Sequence, residues 1–396
     1  LRTQNLWTYT KYDGSNRPTS TGTLNSSKNR TDHQAAAYYS IDYPILSSYP
    51  FTELTVTYYD ENLDNVFDTQ DINKLDAGSN LWPEAVVNSK LTYGKNVRSI
   101  IQAIDHPTDQ TDIRYFYDDK GRLIQTQKIG LLKKTITTTN QYDFVGKVLS
   151  TYIRHYNPSQ SIPSISDITI LAKIKYDVAG RVINISKRIN DNPVTETNLI
   201  ENSYDELGQL KSKKLAPQFN NNTGLETLNF EYNIRGWLKS INKDYANGTG
   251  NANWFGQILS YDFGFTERQF NGNISGLQWR SKGDGEQRAY GFTYDNVNRL
   301  KIADFTQANG TVWSTAEGID YTTNNLNYDA NGNILAMNQK GWKLGGSTLI
   351  DQLSYTYYDG SNKLKQVTDG VNNKDSKLGD FKYDPVTKTA IDYTYD

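Results

Sequence analysis

Eight times between Tyr117 and Leu364 the chain repeats one pattern: a tyrosine, an aspartate or asparagine, two unrestricted residues, a glycine or asparagine, one unrestricted residue and an aliphatic. The copies begin Tyr117-Asp118, Tyr142-Asp143, Tyr176-Asp177, Tyr204-Asp205, Tyr232-Asn233, Tyr294-Asp295, Tyr328-Asp329 and Tyr358-Asp359. Their small residues are Gly121, Gly146, Gly180, Gly208, Gly236, Asn298, Gly332 and Asn362. Successive starts differ by 25, 34, 28, 28, 62, 34 and 30 residues, so the period is near thirty. The 62 covers two periods, with a degenerate unit near Phe270-Asn271-Gly272-Asn273-Ile274. A further copy at Tyr12-Asp13 carries Pro18 where the aliphatic should stand, and Tyr59-Asp60, Tyr383-Asp384 and Tyr395-Asp396 read as partial starts. A fixed period of this length means stacked supersecondary units, not a single globular pattern.

Each slot has a physical reason. Residues leading into the motif alternate, as in Phe292-Thr293-Tyr294, which is the period of a half-buried strand. The aspartate or asparagine accepts from backbone amides just after it and starts a turn. Three residues on, glycine supplies a position with φ > 0, and asparagine is the non-glycine residue that tolerates the same region best. The aliphatic then restarts a strand. Each copy therefore predicts one hairpin tip. A lone hairpin is marginal in water, so the units must pair edge to edge. The expected fold is all-β, a repetitive antiparallel hairpin sheet whose accumulated twist curls it into a spiral or shell.

Composition agrees: 29 Tyr, 13 Phe and 7 Trp stand against a single Met in 396 residues, a sheet and turn vocabulary. Lys plus Arg at 42 against Asp plus Glu at 44 leaves a formal net charge of −2, which offers no electrostatic footprint for nucleic acid. With no cysteine, disulfides, thiolate zinc sites and cysteine nucleophiles are excluded together. No apolar run is long enough for a membrane-spanning helix, and the N-terminus lacks a signal sequence. Beginning at Leu1 and stopping after Tyr395-Asp396, the sequence reads as a piece of a longer polypeptide.

Along the chain, residues 1–111 are expected to be a less regular region in which the acidic stretch Asp60 to Asp76 and Leu81-Trp82-Pro83 mark an insertion or long loop, with a short helix near Asn80 to Ser89. Residues 112–396 are expected to be continuous repeat, interrupted by polar loops at 157–166, 220–224, 246–253 and 370–376.

Candidate chemistry is sparse. His33, His106 and His155 show no metal-ligand spacing. The carboxylates Asp60, Glu61, Asp64, Asp68, Asp71 and Asp76 are dense enough to raise calcium, but the glycine of an EF-hand loop is missing and a solvated acidic loop is expected. The motif aspartates recur at every turn, which makes them structural. Trp237, Trp254, Trp279, Trp313 and Trp342 are expected to pack on strand faces; exposed, they would instead stack on sugars or on a partner. No catalytic, cofactor or metal residue is assigned.

At runs such as Tyr117-Asp118-Asp119-Lys120-Gly121-Arg122-Leu123-Ile124, Tyr204-Asp205-Glu206-Leu207-Gly208-Gln209-Leu210, Tyr232-Asn233-Ile234-Arg235-Gly236-Trp237-Leu238 and Tyr328-Asp329-Ala330-Asn331-Gly332-Asn333-Ile334, the sequence resembles the Rhs and YD-repeat family over nearly its whole length. That family includes bacterial polymorphic toxins, shell components of insecticidal toxin complexes and teneurins, and the runs look most like Bacteroidetes-type Rhs proteins. The resemblance implies a hollow cocoon of spiralling strands, secreted or on the bacterial cell surface. Such a cocoon encloses the protein's own C-terminal toxin or other cargo and is delivered by a secretion machine. Many members carry a downstream core in which aspartates of Asp-Pro-x-Gly motifs cleave the cargo free. Here Asp384-Pro385 is followed by Val386-Thr387, so no catalytic role is carried over. The expected function is thus a non-enzymatic shell segment without cofactor; the alternative is a cell-surface adhesin that binds glycans or a neighbouring cell through aromatics.

Overall fold

The computed structural model describes residues 5–60, 66–104, 109–158, 167–250, 253–315, 318–343 and 345–395. The protein is all-β, with 23 strands among those residues, and every strand pairing among them is antiparallel. It divides into two compact units, Leu1–Glu201 with Ala216–Asn222, and Asn202–Leu215 with Thr223–Asp396.

Unit one holds β1 (Leu6–Tyr12), β2 (Pro18–Asn25), β3 (Phe51–Tyr59), β4 (Asn96–Gln102), β5 (Gln110–Tyr117), β6 (Leu123–Ile129), β7 (Thr135–Tyr142), β8 (Val148–Tyr156), β9 (Asp167–Tyr176), β10 (Val182–Ile189) and most of β11 (Thr197–Tyr204). Each pairs with the next in chain order. Unit two holds β12 (Leu210–Leu215), β13 (Glu226–Tyr232), β14 (Leu238–Ile241), β15 (Phe255–Ser260), β16 (Gly276–Ser281), β17 (Gln287–Tyr294), β18 (Leu300–Asn309), β19 (Val312–Ser314), β20 (Thr323–Tyr328), β21 (Ile334–Lys343), β22 (Gly346–Tyr357) and β23 (Leu364–Asp369). Here too neighbours in sequence pair, except that β19 folds back on β18 as a short flap and β18 also pairs with β20.

Nine hairpins share one irregularity. Tyr117 pairs with Leu123, but Phe116 pairs with Gln125, so Ile124 is an extra residue on the returning strand. The same shift follows Tyr12, Tyr59, Tyr142, Tyr176, Tyr232, Tyr294, Tyr328 and Tyr357. A bulge of this kind raises local right-handed twist, so the repeat builds twist at each of these nine tips. In unit one the bulged residues Val97, Ile124 and Leu149 are apolar and fully buried. The corresponding residues of unit two include Lys239, Lys301 and Lys365, which are not buried.

The cover over Ile124 is the segment 66–93. Val86, Phe116 and Ile124 form a buried cluster against which Phe67, Ile72, Leu75 and Tyr142 pack. The expected helix at 80–89 is absent. Its backbone bonds run to the sheet: Glu84 N–H donates to the Tyr142 carbonyl at 2.9 Å and Ser89 N–H to the Tyr117 carbonyl at 2.7 Å, while Pro83 bridges Asp143. An extended strap satisfies its amides on the strand ends, and Pro83 has none to give a helix. The helix that does form is α1 (Arg30–Tyr38), started by a capping box in which Asn29 accepts from Asp32 N–H at 3.0 Å and Asp32 accepts in return. In unit two a single helical turn, α2 (Lys243–Ala246), packs on β15.

Candidate functional site

The tips are the recurring site. At Tyr117-Asp118, Asp118 Oδ1 accepts from Lys120 N–H at 3.0 Å and Arg122 N–H at 2.8 Å, while Gly121, at φ 73°, donates to the Asp118 carbonyl. The carboxylates of Asp143, Asp177, Asp205, Asp295 and Asp329 each accept the N–H four residues ahead, and Asn233 does so through its amide oxygen. Gly146, Gly180, Gly208, Gly236 and Gly332 lie at φ between 77° and 92°, and Asn298 at 67°. These amides favour the ionised carboxylate: those of the turn hold Asp177 and Asp295 below the usual aspartate range, and the Asn333 side chain leads the same effect at Asp329.

The last copy needs a new frame. Tyr357, not Tyr358, closes the hairpin by pairing with Leu364, and Tyr358 stands in the aspartate slot, its N–H on the Lys363 carbonyl. One residue more in this loop moves the left-handed position to Gly360, at φ 63°, instead of Asn362. Asp359 is displaced from the turn-starting slot, and Asn362 accepts from the side chains of Asn331 and Asn333 in the preceding tip.

Tyrosine and the unrestricted residue after the small one turn out to join successive tips. Tyr142 O–H donates to the Leu123 carbonyl at 2.8 Å, Tyr176 to Val148 at 3.0 Å, Tyr294 to Ile274 at 2.8 Å, Tyr328 to Leu300 at 2.7 Å and Tyr357 to Ile334 at 2.8 Å. In every case the acceptor is the strand-restarting residue one tip upstream. At three of these joints a cation just before the acceptor caps the same ring: Arg122 lies 5.0 Å from the Tyr142 centroid, Lys147 5.4 Å from Tyr176 and Arg299 4.6 Å from Tyr328. Arg122 and Arg299 also donate to the carbonyls of Asp143 and Asp329, and through Nε to the carboxylates of their own tips, Asp118 at 2.6 Å and Asp295 at 2.7 Å. The slot read as unrestricted is therefore where a cation clamps two tips at once.

The same bond uncovers two split tips. Tyr117 O–H donates to the Asn96 carbonyl at 2.8 Å, and Asp60 N–H donates to Lys95, with Gly94 at φ 77°. Tyr59-Asp60 and Gly94-Lys95-Asn96 are thus the two halves of one tip. Likewise Tyr261 O–H reaches the Leu238 carbonyl at 3.0 Å and its ring packs, tilted, 5.2 Å from Trp237, so the degenerate unit begins at Tyr261 and closes through Gly272, Asn273 and Ile274. Tyr395, which donates to the Leu364 carbonyl at 2.9 Å, occupies the equivalent place after the last tip.

The first insertion overturns the expectation of a solvated acidic loop. Asp71 is 1% exposed and takes Arg154 Nε at 2.9 Å; Asp68 also meets Arg154, Asp76 meets Lys173 Nζ at 3.0 Å, and Asp60 is held by both Arg17 terminal nitrogens. Burial pushes the Asp71 carboxyl above the usual range, against the pull of Arg154. Gln125 and Gln127 grip the backbone of Asp68 and Val66 at 2.8 Å. Glu61 and Asp64 lie outside the described residues, as does His106. Among the described residues no group of three or more acidic or histidine side chains is arranged to hold a metal. The His33 ring lies tilted 4.4 Å from Trp7, and His155 is exposed on β8. Trp279 packs between Tyr290 and Phe305, whereas Trp254, Trp313 and Trp342 keep exposed faces.

No protein-family model matches the chain, and no curated protein matches it. Among solved structures, one titled "Crystal Structure of TcdB2-TccC3-Cdc42" aligns at 12% identity and a TM-score of 0.21, over 88% of this chain and 23% of that one. At that score the similarity assigns neither fold nor function. The chain spans under a quarter of that structure's length.

Proposed function

We propose that the chain is a non-enzymatic wall segment of a YD-repeat shell, secreted or displayed on a bacterial surface. In this reading the shell encloses a toxin or other cargo carried elsewhere in the parent polypeptide and hands it to a secretion or delivery machine. The observation that carries the reading is the tyrosine-to-carbonyl bond between successive tips, nine of them among the described residues. It is a device for propagating a sheet, because each new hairpin completes the hydrogen bonding of the one before it. The motif carboxylates support the same reading: turn amides engage their oxygens, and at Asp118, Asp177 and Asp295 the arginine of the same tip does too, which leaves them poorly placed for proton transfer.

Electron cryo-microscopy of the full-length parent protein, with protease protection of its cargo segment before and after mild denaturation, tests the proposal. A closed interior holding protected density is the expected result. An open sheet with a protease-sensitive C-terminal segment would overturn the shell, and adhesion of cells displaying the protein would put an adhesin in its place.

A further inference from the structure

Unit two carries a groove that sheet propagation does not require. Its floor is one cross-strand row: Ser240 pairs with Ile258, Ile258 with Gln278, Gln278 with Ala289 and Ala289 with Thr306. Such a row puts its side chains on one face, and at a strand spacing of about 4.8 Å it spans about 19 Å.

Both walls are built by glycines in the flanking rows. On one side α2 seats on Gly256, where a Cβ would meet the Asn242 carbonyl at 2.7 Å and Ala246 nitrogen at 2.9 Å. Gln278 and Gln287 fix that wall by donating to the Ala246 carbonyl at 2.8 Å. On the other side Phe265, from the insertion that splits the Tyr261 tip, lies on the paired glycines Gly276 and Gly291; a Cβ on Gly276 would meet its ring at 2.3 Å. The cavity between them measures about 490 Å³, and Phe263, Trp313, Lys239 and Lys243 also line it. That volume falls within the roughly 300–1,000 Å³ of small-molecule sites.

The lining selects a ligand class. Ser240 Oγ, on a side chain 1% exposed, has no hydrogen-bond partner, so the floor offers a hydroxyl that a ligand can engage. The floor strands spend their backbone groups on their neighbours, so an extended peptide would find no ladder to join and only scattered side chains to satisfy its amides. Sugar hydroxyls both donate and accept, which matches Ser240, Gln278 and Thr306, while the rings of Phe263 and Trp313 suit the apolar faces of pyranoses. The cation that can meet a ligand carboxylate is Lys239, which stands 5.5 Å from the Phe263 centroid and makes no ion pair among the described residues, whereas Lys243 lies 3.7 Å from Glu231.

We propose that this groove binds an acidic oligosaccharide, a short run of uronic-acid units lying across the five strands. The inference stands apart from the shell reading and survives if that reading fails. Titrating the chain with trigalacturonate, galactotriose and a tetraglutamate peptide, followed by calorimetry and Trp fluorescence, tests it. Trigalacturonate is expected to bind on the order of tenfold more tightly than galactotriose, with Lys239→Gln removing most of that preference. Phe263→Ala, in a partly exposed loop, and Ser240→Leu, which fills the floor, should each weaken trigalacturonate by about tenfold or more. Because Ser240→Leu disturbs a buried position, Phe263→Ala is the decisive variant, its fold checked by an unchanged melting curve. Failure of trigalacturonate to bind at millimolar concentration, unchanged affinity in Phe263→Ala, or equal binding of tetraglutamate would overturn the proposal.

Discussion

The Tyr328 hydroxyl donates to the Leu300 carbonyl at 2.7 Å, across one full repeat. Leu300 is the residue at which the preceding hairpin restarts its strand, next to the bulge that shifts its register. The ladder is interrupted there, so the carbonyl is served by a side chain from the next unit. Arg299 covers the Tyr328 ring and donates to the Asp329 carbonyl at 2.9 Å, which ties the same two tips a second time.

Removing that hydroxyl isolates its contribution. Tyr328→Phe keeps the ring under Arg299 but leaves the Leu300 carbonyl short of a donor, and is expected to cost about 1 to 2 kcal/mol. In urea unfolding this appears as a lower midpoint with an unchanged slope. Tyr12→Phe, at an exposed ring, should stay within about 0.5 kcal/mol. Equal effects at both sites would remove the tip-to-tip bond from the account of stability.

Gly332 separates backbone strain from crowding. Its φ is 88° and a Cβ there would have no neighbour within 4 Å. Gly332→Val is expected to destabilise by about 2 kcal/mol or more from conformation alone, and Gly332→Asn by less than about 1 kcal/mol, as Asn298 occupies the same slot at φ 67°. Melting temperatures of the two variants check the order.

Arg154 pins the inserted strap. Arg154→Met leaves Asp71 buried without its cation, a loss on the order of 3 to 5 kcal/mol, and by loosening the strap should speed trypsin cleavage after Lys74 and Lys90. Adding Asp71→Leu is expected to restore much of the protection, because an apolar pair suits a site that already desolvates the acid. Continued trypsin sensitivity in the double variant would show that the strap is held elsewhere.

Stability should fall at both ends of the pH range. The folded values of Asp13, Asp177, Asp295 and Asp329 lie below 3.8, so their stabilisation is complete above that pH and is lost as pH drops through the depressed values. Burial raises Tyr142, Tyr294 and Tyr328 above 10.0 and Tyr152 to about 12, so their contribution is complete below 10.0 and disappears as pH rises through the raised values. Urea midpoints measured from pH 2 to 12 test both limbs; a midpoint already falling between pH 7 and 9 would contradict the tyrosine assignment.

Local chemistry made the tips legible in sequence. An acceptor, a residue fit for φ > 0 and a strand-restarting aliphatic are requirements that act within about seven residues, and the all-β class and antiparallel ladder follow from repeating them. The frame of the last tip escaped because Tyr357 and Tyr358 are adjacent and only pairing tells them apart. The split tips at Tyr59 and Tyr261 escaped because their halves are distant in sequence.

The sequence by itself determined where the chain turns back and that its hairpins must join into sheets. Tertiary structure alone decided that each tyrosine completes the tip before it, that an arginine in an apparently unconstrained slot clamps two tips, and that the acids of the first insertion are paired on the sheet face. The physical reason is range. A turn is fixed by the backbone preferences of neighbouring residues, whereas a bond from Tyr328 to Leu300 or from Asp71 to Arg154 exists only once folding has brought distant strands into register.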